Sequence, residues 1–165
     1  SEMQLVVLGT GHPDIEAGIR AAAAAHPDRI GAFLGFDADR AHAVYAGSDF
    51  FLMPSRFEPC GLGQLYAMTY GTLPLVRRTG GLADTVLPYR PYGNSGTAAT
   101  GFSFVPQTAP ALARCICSAL ELYQDAPRMR QLRDNAMARD YSWDRSSAAY
   151  VALYESIVNR ETADG

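Results

Sequence analysis

Apolar residues in this chain fall into short runs stopped by glycine or proline, with helically spaced stretches between them. Gln4-Leu5-Val6-Val7-Leu8 runs into Gly9-Thr10-Gly11, the pattern of a strand buried on both faces. A second strand is predicted at Ile30-Gly31-Ala32-Phe33-Leu34-Gly35-Phe36, after the His26-Pro27-Asp28 break, and a third at Asp49-Phe50-Phe51-Leu52-Met53, stopped by Pro54. Leu73-Pro74-Leu75-Val76 and Phe102-Ser103-Phe104-Val105 are the fourth and fifth, the last reached through a proline- and glycine-rich loop over 88–101. The stretch 13–25 carries Ile15, Ile19 and an alanine run, and Asp39 is placed to cap a short helix bearing Ala43, Val44 and Tyr45. Residues 61–70 are predicted helical, with Leu62, Leu65, Tyr66 and Tyr70 at helical spacing. Three more helices are predicted over 109–124, 127–139 and 143–158, the last capped by Ser142.

Strands alternating with helices in this way predict an α/β fold: a Rossmann-like, doubly wound parallel sheet with helices on both faces. Ligands of such sheets bind beyond the carboxyl ends of the strands, so the residues that follow each apolar run are the ones to inspect.

Composition narrows the chemistry. The 165 residues carry 14 basic groups against 17 acidic ones, a net charge of −3, and every basic group is arginine. The length is that of one domain, able to bury roughly 70% of the surface of its unfolded chain. At 48% hydrophobic and 19% charged, the chain is too apolar for disorder, and its apolar runs are too short to cross a bilayer. Scattered arginines do not make the concentrated basic face that nucleic acid requires, so neither nucleic acid nor membrane is expected as a partner. Without lysine, Schiff-base chemistry is excluded within these residues, and a bound phosphate would have to be held by backbone amides and arginine. Cys60, Cys115 and Cys117 form no CxxC pair and no histidine stands at ligand spacing, which argues against disulfides and zinc. With no signal peptide ahead of the first apolar run, a reducing, cytoplasmic setting is expected. Entry into a buried-strand pattern almost directly after Ser1, rather than from a methionine, is expected of a chain that lacks upstream segments.

Two strand-end loops are rich in glycine and lead towards helices. One is Pro54-Ser55-Arg56-Phe57-Glu58-Pro59-Cys60-Gly61-Leu62-Gly63, and the other Arg77-Arg78-Thr79-Gly80-Gly81-Leu82. Glycine lets a backbone approach a ligand closely, and free amides at a helix start attract anions, so a diphosphate suits these turns. Neither loop matches G-x-G-x-x-G or a P-loop, which disfavours dinucleotide binding and ATP hydrolysis. Glu58 sits in a loop stiffened by Pro54 and Pro59. A carboxylate held there can accept hydrogen bonds from sugar hydroxyls and stabilise an oxocarbenium-like centre. From spacing alone it could equally cap the following helix or pair with Arg56.

The run from Met53-Pro54-Ser55-Arg56-Phe57-Glu58-Pro59-Cys60-Gly61-Leu62 through Gln64-Leu65-Tyr66-Ala67 and Tyr70-Gly71-Thr72 resembles bacterial glycogen synthase and plant starch synthase. The similarity continues through Arg77-Arg78-Thr79-Gly80-Gly81-Leu82-Ala83-Asp84-Thr85-Val86, Ala99-Thr100-Gly101-Phe102 and Tyr141-Ser142-Trp143, and so covers nearly the whole chain. The resemblance implies a retaining glucosyltransferase of the GT-B fold. Such enzymes transfer glucose from ADP-glucose to the non-reducing end of an α-1,4-glucan, between two Rossmann-like domains. It implies that Glu58 is catalytic, contacting the donor glucose and supporting its cationic transition state. Cys60, Gly61, Leu62 and Gly63 would offer amides to glucose and diphosphate, and Thr79, Gly80 and Gly81 would line the same pocket. Phe36 falls where the family stacks an aromatic ring on adenine, a contact worth about 1 kcal/mol. Read without the family, Phe36 could be an ordinary core aromatic. Gly9, Thr10 and Gly11 are first a turn and secondarily a contact to the nucleotide. No metal and no cofactor is implied, ADP-glucose being a substrate.

Two departures stand out. Retaining GT-B enzymes widely pair two glutamates as Glu-x7-Glu, whereas Tyr66 stands eight residues after Glu58, as is common in glycogen synthases. Gly63 stands where this subgroup mostly has threonine. The resemblance also implies that residues 1–140 are a nucleotide-sugar-binding domain without its first strand and basic loop. Residues 141–165 would then be a helix that packs toward a missing N-terminal domain, and its uncovered apolar face would favour self-association. The expected partners are therefore a nucleotide sugar, an α-glucan and that missing domain. The fragment by itself is expected to be inactive. Two alternatives stay open: a stand-alone nucleotide-sugar-binding or regulatory module, and a synthase that uses UDP-glucose.

Overall fold

Four-residue runs of β-branched and large apolar side chains are too short for stable helices but suit parallel strands, whose ladders need a covered face on each side. A computed structural model describes residues 3–90 and 98–163; residues 91–97 of the proline- and glycine-rich loop and the last two residues of the 141–165 segment lie outside the described residues. The chain divides into two compact units, residues 1–49 and 50–165.

The first unit contains β1 (Leu5–Leu8), α1 (Pro13–Ala25), β2 (Ile30–Phe33) and α2 (Ala38–Gly47). β1 and β2 pair in parallel, Leu5 with Ile30 through Leu8 with Phe33. α1 starts at Pro13 with His12 as its cap, the ring accepting from the Asp14 amide, and Glu16 accepts from the Gly11 amide at 2.9 Å. α2 is capped by Asp37 rather than by Asp39. The Asp37 carboxylate takes the Arg40 amide at 2.9 Å, and Asp39 falls inside the first turn, where its charge still complements the helix dipole. Neither helix buries a side chain fully.

The second unit contains β3 (Phe50–Met53), α3 (Gly63–Thr69), β4 (Leu73–Arg77), α4 (Gly80–Thr85), β5 (Phe102–Phe104), α5 (Ala109–Tyr123), α6 (Ala126–Met137) and α7 (Trp143–Ala163). Its sheet has the order β3-β4-β5 and is parallel throughout. Central β4 shows why the strand reads as continuously apolar. Leu73 and Leu75 face a large core with Met68, Phe102, Ala119, Leu122 and Leu132, while Val76 packs with Leu82 and Val86. Successive side chains point to opposite faces, so both must be apolar, and helices cover each side. α5 buries Ala111, Cys115, Ala119 and Leu122 along one stripe, and α6 buries Met129, Leu132 and Ala136. Thr108 and Asp125 cap these two helices. Between α6 and α7, the Tyr141 hydroxyl reaches back to donate to the Thr85 carbonyl oxygen at 2.8 Å. Along α7, Tyr150, Val151, Leu153 and Tyr154 are all exposed.

Burial of Cys115 pushes its thiol from the ordinary 9.0 up to about 11. An acid whose folded pKa is raised keeps its proton in the folded state while the unfolded chain releases it. Stability tied to this group therefore falls as pH climbs from 9 towards 11. Urea unfolding should show that decline, and Cys115→Ala should flatten it. At pH 8, Cys60 and Cys117, both exposed, should react with a thiol reagent in the folded protein, with Cys115 reacting on unfolding.

Candidate functional site

The loop that joins β3 to α3 is held almost entirely by its carbonyl oxygens. At its start, the Arg77 guanidinium at the end of β4 donates from one nitrogen to the Ser55 and Arg56 carbonyls, at 3.0 and 2.7 Å. Further on, the Gly81 amide is shared between the Glu58 and Pro59 carbonyls at 3.2 and 3.0 Å. The Cys60 and Gly61 carbonyls both take the side-chain amide of Gln64, at 3.1 and 3.0 Å. The Leu62 carbonyl accepts the first helical amides of α3, from Leu65 and Tyr66. By contrast, the amides of Cys60, Gly61 and Leu62 donate to no protein group among the described residues. A loop with its acceptors tied inward and its donors unspent presents partial positive charge outward.

Glycine makes this arrangement sterically available. Gly61 has φ +74° and Gly80 φ +44°, the left-handed region that side chains disfavour. A Cβ on Gly80 would overlap the Glu58 carbonyl oxygen, and one on Gly81 would overlap the Cys60 carbonyl. The start of α4 thus lies backbone to backbone against the Glu58 loop. Thr79, at the cap position of α4, uses no side-chain hydrogen bond to hold it there.

Glu58 itself is half-buried, and among the described residues its carboxylate has neither a hydrogen bond nor an ion pair. The two structural alternatives raised by its spacing are therefore unrealised. The cap position of α3 is Leu62, with no side-chain cap, and Arg56 does not pair with Glu58. Of the other candidates in the second unit, Cys60 and Leu62 are exposed, and Gly61, Gly63 and Thr79 are half-buried. The structure brings the 58–63 and 79–81 groups together. In the first unit, the Gly35 amide donates to Gly9 at 3.1 Å, so the Gly9-Thr10-Gly11 turn and the segment leading to Phe36 adjoin at the strand ends. Phe36 is 92% exposed and is no core aromatic.

The face of α3 differs from the predicted one. Tyr66 and Tyr70 are exposed along with Leu62, Leu65 is half-buried, and the buried residues are Gln64, Ala67 and Met68. The buried stripe is led by a polar residue, Gln64, which is wholly buried, while the two tyrosine rings lie on the exposed side. The spacing of Gln64 to Ala67 and Met68, three and four residues on, is the signal that could have found it. Arg77 binds carbonyls, and no ion pair among the described residues includes it. Among the described residues, no group of three or more His, Cys, Asp or Glu side chains stands where it could hold a metal.

An unpartnered carboxylate thus stands on a glycine-supported loop beyond a parallel strand, and comparison with known proteins gives the family. Residues 1–139 match the family model described as glycosyl transferases group 1, and the chain belongs to that family. Glycogen synthase of Anaeromyxobacter sp. (strain Fw109-5) is 47% identical over 156 residues, covering 94% of this chain and 32% of that protein. Glycogen synthase of Lactococcus lactis subsp. lactis (strain IL1403) is 46% identical over the same shares. The catalytic domain of starch synthase IV from Arabidopsis thaliana, bound to ADP and acarbose, superposes with a TM-score of 0.78 at 26% identity, over 96% of this chain and 39% of that one. The chain thus spans about a third of the length of the glycogen synthases it matches. No helix among the described residues is long and apolar enough to cross a membrane.

The backbone contact sets a direct test. Gly81→Ala should cost about 1–3 kcal/mol in urea unfolding, because its methyl meets a carbonyl that cannot swing aside. Gly18→Ala, in α1 where a Cβ meets nothing within 4 Å, should be neutral or stabilise by about 0.5–1 kcal/mol.

Proposed function

We propose that this chain is the donor-binding part of a glycogen or starch synthase, one that transfers glucose from ADP-glucose to the non-reducing end of an α-1,4-glucan with retention. The observation that carries this reading is the 47% identity to a glycogen synthase across 94% of the chain. Its chemistry is compatible with the loop just described. When the bond from glucose C1 to the diphosphate breaks, positive charge grows on the sugar ring and negative charge on the leaving phosphate. Glu58, whose carboxylate has no partner among the described residues, is the residue to accept hydrogen bonds from the glucose hydroxyls and offset the ring charge. The amides of Cys60, Gly61, Leu62 and Gly63 would serve the glucose and diphosphate, with Thr79, Gly80 and Gly81 beside them. Phe36, in the first unit, offers an exposed ring for stacking on a base, and Gly9, Thr10 and Gly11 a turn beside it. The reading needs no metal or cofactor.

Supply of a glucan acceptor and exclusion of water would fall to a second domain, so these residues alone should not turn over. A cytoplasmic location goes with this role and with three free cysteines.

The test is glucose transfer to glycogen by a full-length protein that carries this chain, with ADP-glucose and UDP-glucose as competing donors. ADP-glucose should be preferred, and Glu58→Ala should lower kcat by about 100-fold or more with little change in unfolding midpoint. Equal use of the two donors would defeat the ADP assignment. Near-normal turnover by the Glu58 variant would remove its catalytic role, and turnover by the 165 residues alone would contradict the need for a partner domain.

A further inference from the structure

Gln64 is wholly buried, and its side-chain amide does three things at once. It donates to the Cys60 and Gly61 carbonyls, and it lies 3.1 Å from the Thr85 hydroxyl. That hydroxyl donates in turn to the Gly81 carbonyl at 2.6 Å, and the Gly81 amide reaches the Glu58 and Pro59 carbonyls. The contacts close a circuit that runs from the loop through Gln64, Thr85 and Gly81 back to the loop. Reversing the amide would set its oxygen against two carbonyl oxygens, so the circuit has one workable orientation. In that orientation the Gln64 oxygen has no partner among the described residues, which is an unfavourable state for a buried acceptor unless the nitrogen's contacts require it.

We infer that Gln64, with Thr85 behind it, is a positioning residue for the donor: it holds the Cys60 and Gly61 carbonyls inward and so keeps the neighbouring amides aimed at a nucleotide diphosphate sugar. The inference rests on the proposed donor-binding role. Without a buried donor at this point, each peptide could rotate to put its carbonyl toward solvent, turning its partial negative charge on the ligand. Gln64 would touch no substrate and act through the loop. A misplacement of about 1 Å in such a loop can cost roughly 100-fold in rate.

The experiment uses a full-length protein carrying this chain, and measures kcat and KM separately for ADP-glucose and for glycogen. Gln64→Met keeps the length and volume of the side chain but removes the donor. It should lower kcat/KM for ADP-glucose by about 10- to 100-fold while leaving KM for glycogen within about twofold. Thr85→Val should lose a smaller part of the same donor constant, and Thr85→Ser, which keeps the hydroxyl, should recover most of it. Hydrogen exchange should show faster exchange of the Gly81 amide in Gln64→Met. A purely structural role would lower the unfolding midpoint yet leave the constants of the folded enzyme unchanged, and that result would overturn the inference. An equal rise in KM for glycogen and for ADP-glucose would overturn it too. Should Gln64→Met fail to fold, the Thr85 pair decides on the same constants. A wild-type protein that does not use ADP-glucose defeats the proposed function and this inference together. An active wild type with an unchanged Gln64→Met defeats this inference alone.

Discussion

The second unit is organised around a contact between two stretches of backbone. The Glu58 loop rests on the first residues of α4, and at Gly80 and Gly81 nothing larger than a hydrogen fits between them. Close approach of this kind favours pairing of the carbonyls that line the contact. The Gly81 amide meets two carbonyls, and side chains from α3, α4 and the end of β4 meet the others. The short strands matter mainly because they bring these supports to the carboxyl end of the sheet. β3 delivers the loop, β4 delivers Arg77 and the turn into α4, and the parallel register of the two places both loops at the same end.

Much of this architecture could be read from the residues because it follows from repeating physical demands. A run such as Leu73-Pro74-Leu75-Val76 has to be a doubly covered strand, since apolar groups at consecutive positions face opposite ways. Proline and glycine marked where each run stops, and the caps of α5 and α6 stand where small polar residues precede the helical pattern. What could not be read were choices between near neighbours. Asp37 and Asp39 are both good caps, and the choice between them depends on where the chain leaves β2. In α3 a polar residue occupies the core, and hydrophobicity counts are blind to a glutamine whose partners are backbone carbonyls many atoms away. The Glu58 loop was visible as a candidate, whereas its supports were not, because a hydrogen bond from Gln64 or Arg77 to a carbonyl leaves no trace in residue type.

Charge is also distributed differently from what composition suggests. With no lysine available, the arginine that closes β4, Arg77, is committed to the Ser55 and Arg56 carbonyls. Its guanidinium acts as a bracket that carries a charge. Positive potential at the front of the loop comes from its unspent amides, which do not require a mobile side chain to find the ligand.

Tyr141 gives the circuit a mechanical extension. Its hydroxyl grips the carbonyl of Thr85, the residue whose own side chain couples Gln64 to Gly81. The joint ahead of α7 is therefore connected in series with the platform under Glu58, as a lever is connected to its fulcrum. Whatever displaces Tyr141 displaces the partner of the Thr85 carbonyl as well. A short chain of hydrogen bonds thus joins the residue ahead of the last helix to the glycine loops, although 56 residues of sequence separate Thr85 from Tyr141.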